Sequence, residues 1–360
     1  MKKILLNLFL LSLTIVYQAA GQSLSADEED RINRLADQFM EKSKVPGMAV
    51  SIALNGKIIY SNGFGFADLE QEIAVTASTS KFRIASISKT LTADAIMQLV
   101  ESGKLKLDDP VQRYVPSFPQ KQWPLTTRLV AGHLGGIRHY RGGEFLSAKY
   151  YASVSQGLEI FKHDSLLFEP GTKYSYSSYG YNLISAVIEG ASGLDYLTYM
   201  KINVFDKLEL QNTVPDKNKV IIAHRSQFYQ KSANGKIENA PYVDNSYKWA
   251  GGGFLSTSEN LIKFMLAHTE PGYLSASSWR TLTTSQKTSD GKETGYGLGW
   301  ATATDEQGYH WLGHSGGAVG GTSKMVYYPE KELIIIVLTN LSAARLGAFP
   351  HQLGWVFLEN

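Results

Sequence analysis

Phe82-Arg83-Ile84-Ala85-Ser86-Ile87-Ser88-Lys89-Thr90-Leu91-Thr92-Ala93 places a serine three residues ahead of a lysine, at the head of a long apolar run. If a helix starts here, positions i and i+3 share a face, so the Ser86 hydroxyl and the Lys89 amine meet. Beyond Lys89, the residues Asp94, Gln98 and Glu101 make one narrow polar stripe, while Leu91, Ala93, Ala95, Ile96, Met97, Leu99 and Val100 fill the other directions. Such a helix is mostly buried, and Gly103 is its stop signal. Burial favours the neutral form of an amine, and a neutral Lys89 can take the serine proton. A serine at the helix N-terminus also lies where backbone N–H groups favour developing negative charge. The segment reads equally as a core helix capped by Ser86. Ser-x-x-Lys also recurs at Ser78 to Lys81 and at Ser289 to Lys292, so the rest of the chain must decide.

Upstream, Lys2 and Lys3 precede an apolar run from Ile4 to Val16, followed by Ala19, Ala20 and Gly21. This is the pattern of a secretory signal peptide, residues 1–21, and it predicts an exported protein, periplasmic or secreted. The run is short for a membrane span, and no other segment has the length to be one, so no stable span is expected after cleavage. Ser25-Ala26-Asp27-Glu28 has the form of a capping box ahead of a helix carrying Ile32, Leu35, Phe39 and Met40. Met48 to Leu54 and Lys57 to Phe66 are strand-like runs joined by Asn55-Gly56, a strong hairpin signal.

Downstream, residues 108–243 are rich in turns, aromatic residues and short helical patterns, with a helix expected at Leu183 to Ala191 and stopped by Gly193. A further helix is expected at Ser258 to Ala267. Strands are expected at Gly295 to Trp300, Tyr309 to Leu312, Ser323 to Tyr328 and Glu332 to Thr339, and a closing helix at Ala343 to about Leu358, with Pro350 as a possible kink. The pattern predicts an α/β (α+β) fold: one antiparallel sheet closed by both ends of the chain and flanked by helices, plus a mostly helical lobe. Residues 22–360 then form one domain, with the sheet lobe at about 22–85 plus 245–360 and the helical lobe at about 86–244.

Composition narrows the chemistry. Without Lys2 and Lys3 the basic and acidic residues balance, which argues against nucleic acid and points to a small-molecule or peptide substrate. The absence of cysteine excludes thiol catalysis and thiolate metal sites. His133 and His139 are six apart, and no His-Glu-x-x-His or His-x-His cluster occurs, so no metal or other cofactor is expected. Gly313-His314-Ser315-Gly316-Gly317 fits Gly-x-Ser-x-Gly, but a nucleophile elbow needs a following helix and later acid and histidine. Here a strand pair follows and no aspartate lies beyond Asp305.

Two further stretches supply partners for Ser86: Tyr176-Ser177-Ser178, after the turn residues Pro170-Gly171, and His314-Ser315-Gly316-Gly317. With Ser86-Ile87-Ser88-Lys89 they resemble, in order and separation, the three motifs of the serine β-lactamase and penicillin-binding protein superfamily in its class C-like branch. Gly103 to Val111 and Ala250 to Thr257 also look like that branch, and Leu134 to Tyr140 is similar to its mitochondrial β-lactamase-like serine proteases. The resemblance covers nearly all of the chain after residue 21 and implies a β-lactamase/transpeptidase-like fold. It further implies Ser86 as acylated nucleophile and Lys89 as its proton partner. Tyr176, held partly as phenolate by cations, would be general base and later acid. Ser86 and Gly317 would provide an oxyanion hole, and Ser178, His314 and Gly316 would contact substrate. The second motif departs from the family in ending on Ser178 rather than asparagine. A serine cannot offer an amide donor and acceptor together, which bears on β-lactam turnover in particular. The resemblance thus predicts a hydrolase acting through an acyl-enzyme on an ester, peptide amide or β-lactam. A penicillin-binding or cell-wall-peptide sensor without turnover is the alternative.

Overall fold

The computed structural model describes residues 24–359; the expected signal peptide lies outside them. Helix α1 (Ala26–Ser43) opens on the expected capping box: Ser25 accepts from the Glu28 backbone and the Glu28 side chain returns to the Ser25 N–H. The hairpin follows as β1 (Gly47–Leu54) and β2 (Lys57–Asp68), with β3 (Ile73–Ala74) on its outer edge. After α2 (Ser88–Glu101) comes a long stretch of short helices and turns, whose longest element is α3 (Ser178–Ser192). The chain then forms α4 (Ser258–Leu266), α5 (Ala276–Thr283), β4 (Ala301–Thr304), β5 (His310–Ala318), β6 (Gly321–Tyr328), β7 (Leu333–Thr339) and α6 (Phe349–Leu358).

Seven strands make one antiparallel sheet in the order β3-β2-β1-β7-β6-β5-β4. The central pair joins the two ends of the chain, from Met48 opposite Thr339 to Leu54 opposite Leu333. Both faces of this pair are covered, which is why Leu333 to Leu338 reads as an unbroken apolar run. Strand periodicity divides that run between two cores. Ile334, Ile336 and Leu338 join Ala49 and Ala53 against α2, α4 and the helical stretch. Leu333, Ile335 and Val337 join Met48, Val50 and Ile52 under α1 and α6. On that second side Phe39 and Phe349 stack with ring centres 4.4 Å apart.

Three local expectations need correction. Gly295 to Trp300 is not a strand: Gly295 and Gly299 have φ of +69° and +83°, outside the extended region, and pairing starts only at Ala301. The closing helix starts at Phe349, not Ala343, and Pro350 lies in its first turn, where a missing N–H costs nothing, instead of kinking it. Helix α3 begins five residues before Leu183 because the Ser177 side chain caps it by accepting from the Gly180 N–H. No helix among the described residues is long and apolar enough to cross a membrane.

Candidate active site

Ser86 lies in a single 3₁₀ turn, Ala85–Ile87, that runs directly into α2. Ala85, just before it, has φ of +48°, a left-handed conformation that costs a non-glycine residue roughly 1 kcal/mol or more. Packing around the turn holds that conformation. Strand β5 crosses so close that a Cβ on Gly316 would lie 2.4 Å from the Ile84 carbonyl oxygen and 3.0 Å from the Ala85 Cβ. The Ser323 hydroxyl on β6 donates to the same Ile84 carbonyl at 2.8 Å. Gly317, one residue on, has open space where a Cβ would project, and it lines the same cleft as Ser86. Gly316→Ala is therefore expected to destabilise the fold by about 1–3 kcal/mol through overpacking. Gly317→Ala should leave the urea midpoint unchanged, and comparison of the two midpoints checks the assignment.

Lys89 is fully buried one turn into α2. Its Nζ lies 2.5 Å from the Gly251 carbonyl oxygen, 3.0 Å from Ser86 Oγ and 3.3 Å from Ser178 Oγ. Burial, with a smaller effect from Lys248, pushes its pKa well below the ordinary lysine value, favouring the free amine. A neutral amine has two N–H donors and one lone pair. The Gly251 carbonyl takes one donor, so among the two hydroxyls one is left to donate to the lone pair.

Tyr176 sits on the loop ahead of α3, and its phenol hydrogen-bonds both Ser86 and Ser178. Burial raises its pKa above the usual tyrosine value, outweighing the Ser86 hydrogen bond. Burial thus disfavours both the Lys89 ammonium and the phenolate of Tyr176 that the resemblance implies. The loop is fixed by two histidines: Nδ1 of His133 accepts the Ser177 N–H at 3.2 Å, and Nδ1 of His139 accepts the Ser178 N–H at 3.1 Å. His133 also lies against the Tyr176 ring, centres 4.3 Å apart.

Ser178, the residue in place of asparagine, occupies the first turn of α3, with its hydroxyl against Lys89, Tyr176 and Tyr140. It bridges the amine and the phenol. His314 is nearby but turned inward. Its Nδ1–H donates to the Ser315 carbonyl at 2.6 Å, so Nε2 is the acceptor for the Tyr296 hydroxyl at 2.9 Å. Burial, reinforced by Lys89, pushes its pKa down to about 3, and its ring centre is 6.2 Å from that of Tyr176. The strand's alternation sends Ser315 to the opposite face, exposed, within 3.2 Å of Lys324 Nζ.

These residues surround a cleft of about 180 Å³ lined by Ser86, Tyr176, Ser178 and Gly317, and also by His139, Tyr140, Phe145 and Lys248. A larger hollow of about 330 Å³ beside Trp249 touches none of Ser86, Lys89 and Tyr176. Of the second four, Phe145 and Lys248 carry no sequence motif, while His139 and Tyr140 end the Leu134 to Tyr140 stretch. Lys248 is 3 % exposed and forms no ion pair among the described residues; its ammonium lies over Phe145, 4.6 Å from the ring centre. Burial, then repulsion from Arg83, lowers its pKa to about 7. The one prior sign of Lys248 was its position just ahead of the Ala250-Gly251-Gly252 turn whose Gly251 carbonyl receives Lys89.

Comparison with known proteins agrees with this geometry. The family model described as Beta-lactamase matches residues 32–349. The human protein "Serine beta-lactamase-like protein LACTB, mitochondrial" is 33 % identical over 84 % of this chain and 71 % of its own length. "Penicillin-binding protein 4*" of Bacillus subtilis is 26 % identical over 88 % of this chain and 73 % of its own. Among solved structures, the octameric penicillin-binding protein homologue of Pyrococcus abyssi superposes with a TM-score of 0.80 at 26 % identity, covering 92 % of this chain and 77 % of that one. The chain therefore belongs to the β-lactamase family, a family of serine hydrolases that share the penicillin-binding-protein fold.

Proposed function

We propose that this protein is an exported serine hydrolase that cleaves an ester, a peptide amide or a β-lactam through an acyl-enzyme on Ser86. The observation that carries the reading is the buried Lys89 amine 3.0 Å from Ser86 Oγ, with the Tyr176 phenol on the same hydroxyl. Ser86 Oγ attacks the scissile carbonyl carbon while its proton passes to the Lys89 lone pair. The developing oxyanion is received by the backbone N–H groups of Ser86 and Gly317. As the carbon to leaving-group bond breaks, the Tyr176 phenol gives its proton to the departing atom and is reprotonated from Lys89 through the Ser178 hydroxyl. In deacylation, water adds to the acyl carbon, its proton enters the same relay, and Ser86 leaves carrying a proton from it. A sensor trapped as a permanent acyl adduct uses only the first half of this relay and has no use for the deacylation half.

Labelling the purified protein side by side with a fluorophosphonate and a fluorescent penicillin, then locating the modified residue by mass spectrometry, tests the reading. Modification of Ser86 together with turnover of a chromogenic ester supports it; a permanent penicillin adduct without turnover of any ester would favour the sensor instead.

The unpaired Lys248 ammonium in the cleft favours substrates bearing a negative group. With its pKa near 7, that attraction is full in mildly acid solution and fades as pH rises through neutrality. KM for an anionic ester is accordingly expected to climb several-fold from pH 6 to pH 8.5 in the parent and to stay flat and high in Lys248→Met, measured against a neutral ester as control.

A further inference from the structure

The Ser178 backbone N–H is spent inside the protein on His139, and its hydroxyl is turned to Lys89 at 3.3 Å, close to Tyr176 and Tyr140. The cleft wall facing Gly317 must therefore take any donor for the substrate from elsewhere. His139 lines the cleft and is exposed to it. Because its Nδ1 accepts the Ser178 N–H, the ring proton must sit on Nε2, and this N–H has no partner among the described residues. Burial is the largest cause that holds the imidazole pKa at about 4, so at neutral pH this tautomer is fixed and uncharged.

The segment carrying His139 is held in place. Arg138 makes a two-pronged contact to Glu144, at 2.7 and 2.9 Å, and pairs with Asp164. It also donates to the Ile160 carbonyl at 3.1 Å and to the His139 carbonyl at 3.0 Å, while its own carbonyl accepts from the helix-capping Ser177 hydroxyl at 2.8 Å. The imidazole edge meets the Tyr176 ring at 5.8 Å between centres. The donor is thus preorganised beside the reacting groups, where it needs no rearrangement to bind.

Resting on the hydrolase reading above, we infer that His139 is a specificity-determining residue: its Nε2–H donates to a second carbonyl in the acyl part of the substrate, next to the scissile one. The substrate class this selects is an acyl group carrying an amide, such as an N-acylated amino acid, over a plain fatty acyl chain.

The test compares the p-nitrophenyl esters of N-acetylglycine and of pentanoic acid, whose acyl chains match in length and differ in the amide. The parent should prefer the N-acetylglycyl ester by up to about tenfold in kcat/KM, the worth of one neutral hydrogen bond. His139→Leu should erase that preference, read as the ratio of the two kcat/KM values, on top of whatever both esters lose when the Ser178 N–H loses its acceptor. His139→Gln, which keeps an N–H donor, should retain most of it. A preference unchanged in His139→Leu, with or without a parallel fall on both esters, would overturn the assignment, a parallel fall reducing His139 to a support for Ser178. Failure of the parent to hydrolyse either ester would instead remove the hydrolase reading, and this assignment with it.

Discussion

Ser86→Ala is expected to lower kcat/KM on any substrate of this protein by roughly 10⁴-fold or more, because it removes the atom that forms the covalent bond. The matching control is Ser315→Ala. Its hydroxyl is part of the second serine motif, but it lies on the outer face of β5 beside Lys324, away from Lys89 and Tyr176. Turnover in that variant should remain within about twofold of the parent. Steady-state rates on a chromogenic ester, with the acyl-enzyme mass as a second readout, decide the matter. Comparable losses in both serine variants would move the reaction away from the turn before α2.

Lys89→Met should separate activity from stability. Removing the proton acceptor is expected to cost roughly 10³-fold in turnover. Stability should respond in a way only a buried base produces. In the unfolded chain Lys89 has an ordinary lysine pKa; in the folded protein burial holds it well below. Between those two values the unfolded state binds the extra proton, so folding stability of the parent rises with pH. Below the folded-state pKa the penalty for burying the amine is complete, and above the unfolded value it is gone. The parent should therefore gain on Lys89→Met between pH 7 and pH 10, read as a parent urea midpoint that climbs with pH relative to that of the variant. A difference that stays constant with pH would mean that Lys89 is buried as an ammonium with an unshifted pKa.

The parts of this architecture that were legible in advance depend on local chemistry. A capping box, an Asn-Gly hairpin and a run of β-branched residues each act over a few positions, and each produced its element. Where expectations failed, the deciding interaction was distant or conformational. Gly295 to Trp300 has strand composition, but two left-handed glycines break it, leaving only an isolated bridge from Tyr296 to Ala301. The first turn of α3 has no amphipathic pattern because Tyr179, Gly180 and Tyr181 are buried all round. Ser86, Lys89, Tyr176, Ser178 and Gly317 were found through their motifs, and the structure brings them to one cleft. Lys248 was not singled out, and His139 was noted only as a histidine without metal-ligand spacing inside the Leu134 to Tyr140 stretch, since nothing local gives either of them a place in the cleft. His139 is identified by an N–H donated from Ser178, far along the chain, and Lys248 by the lack of any acidic neighbour close enough to pair with it. The protonation of Tyr176 was likewise hidden, because it depends on how much protein surrounds the ring.

The pairing of β1 with β7 has a further consequence for the timing of folding. Met48 meets Thr339, so the middle of the sheet is completed only after residue 339 has been made. Closing so long a loop is slow, and until it happens β7 lacks its β1 neighbour and the two halves of the sheet stay unjoined. A chain cut short before β7 is therefore expected to lack the central strand pair that joins the two halves of the sheet.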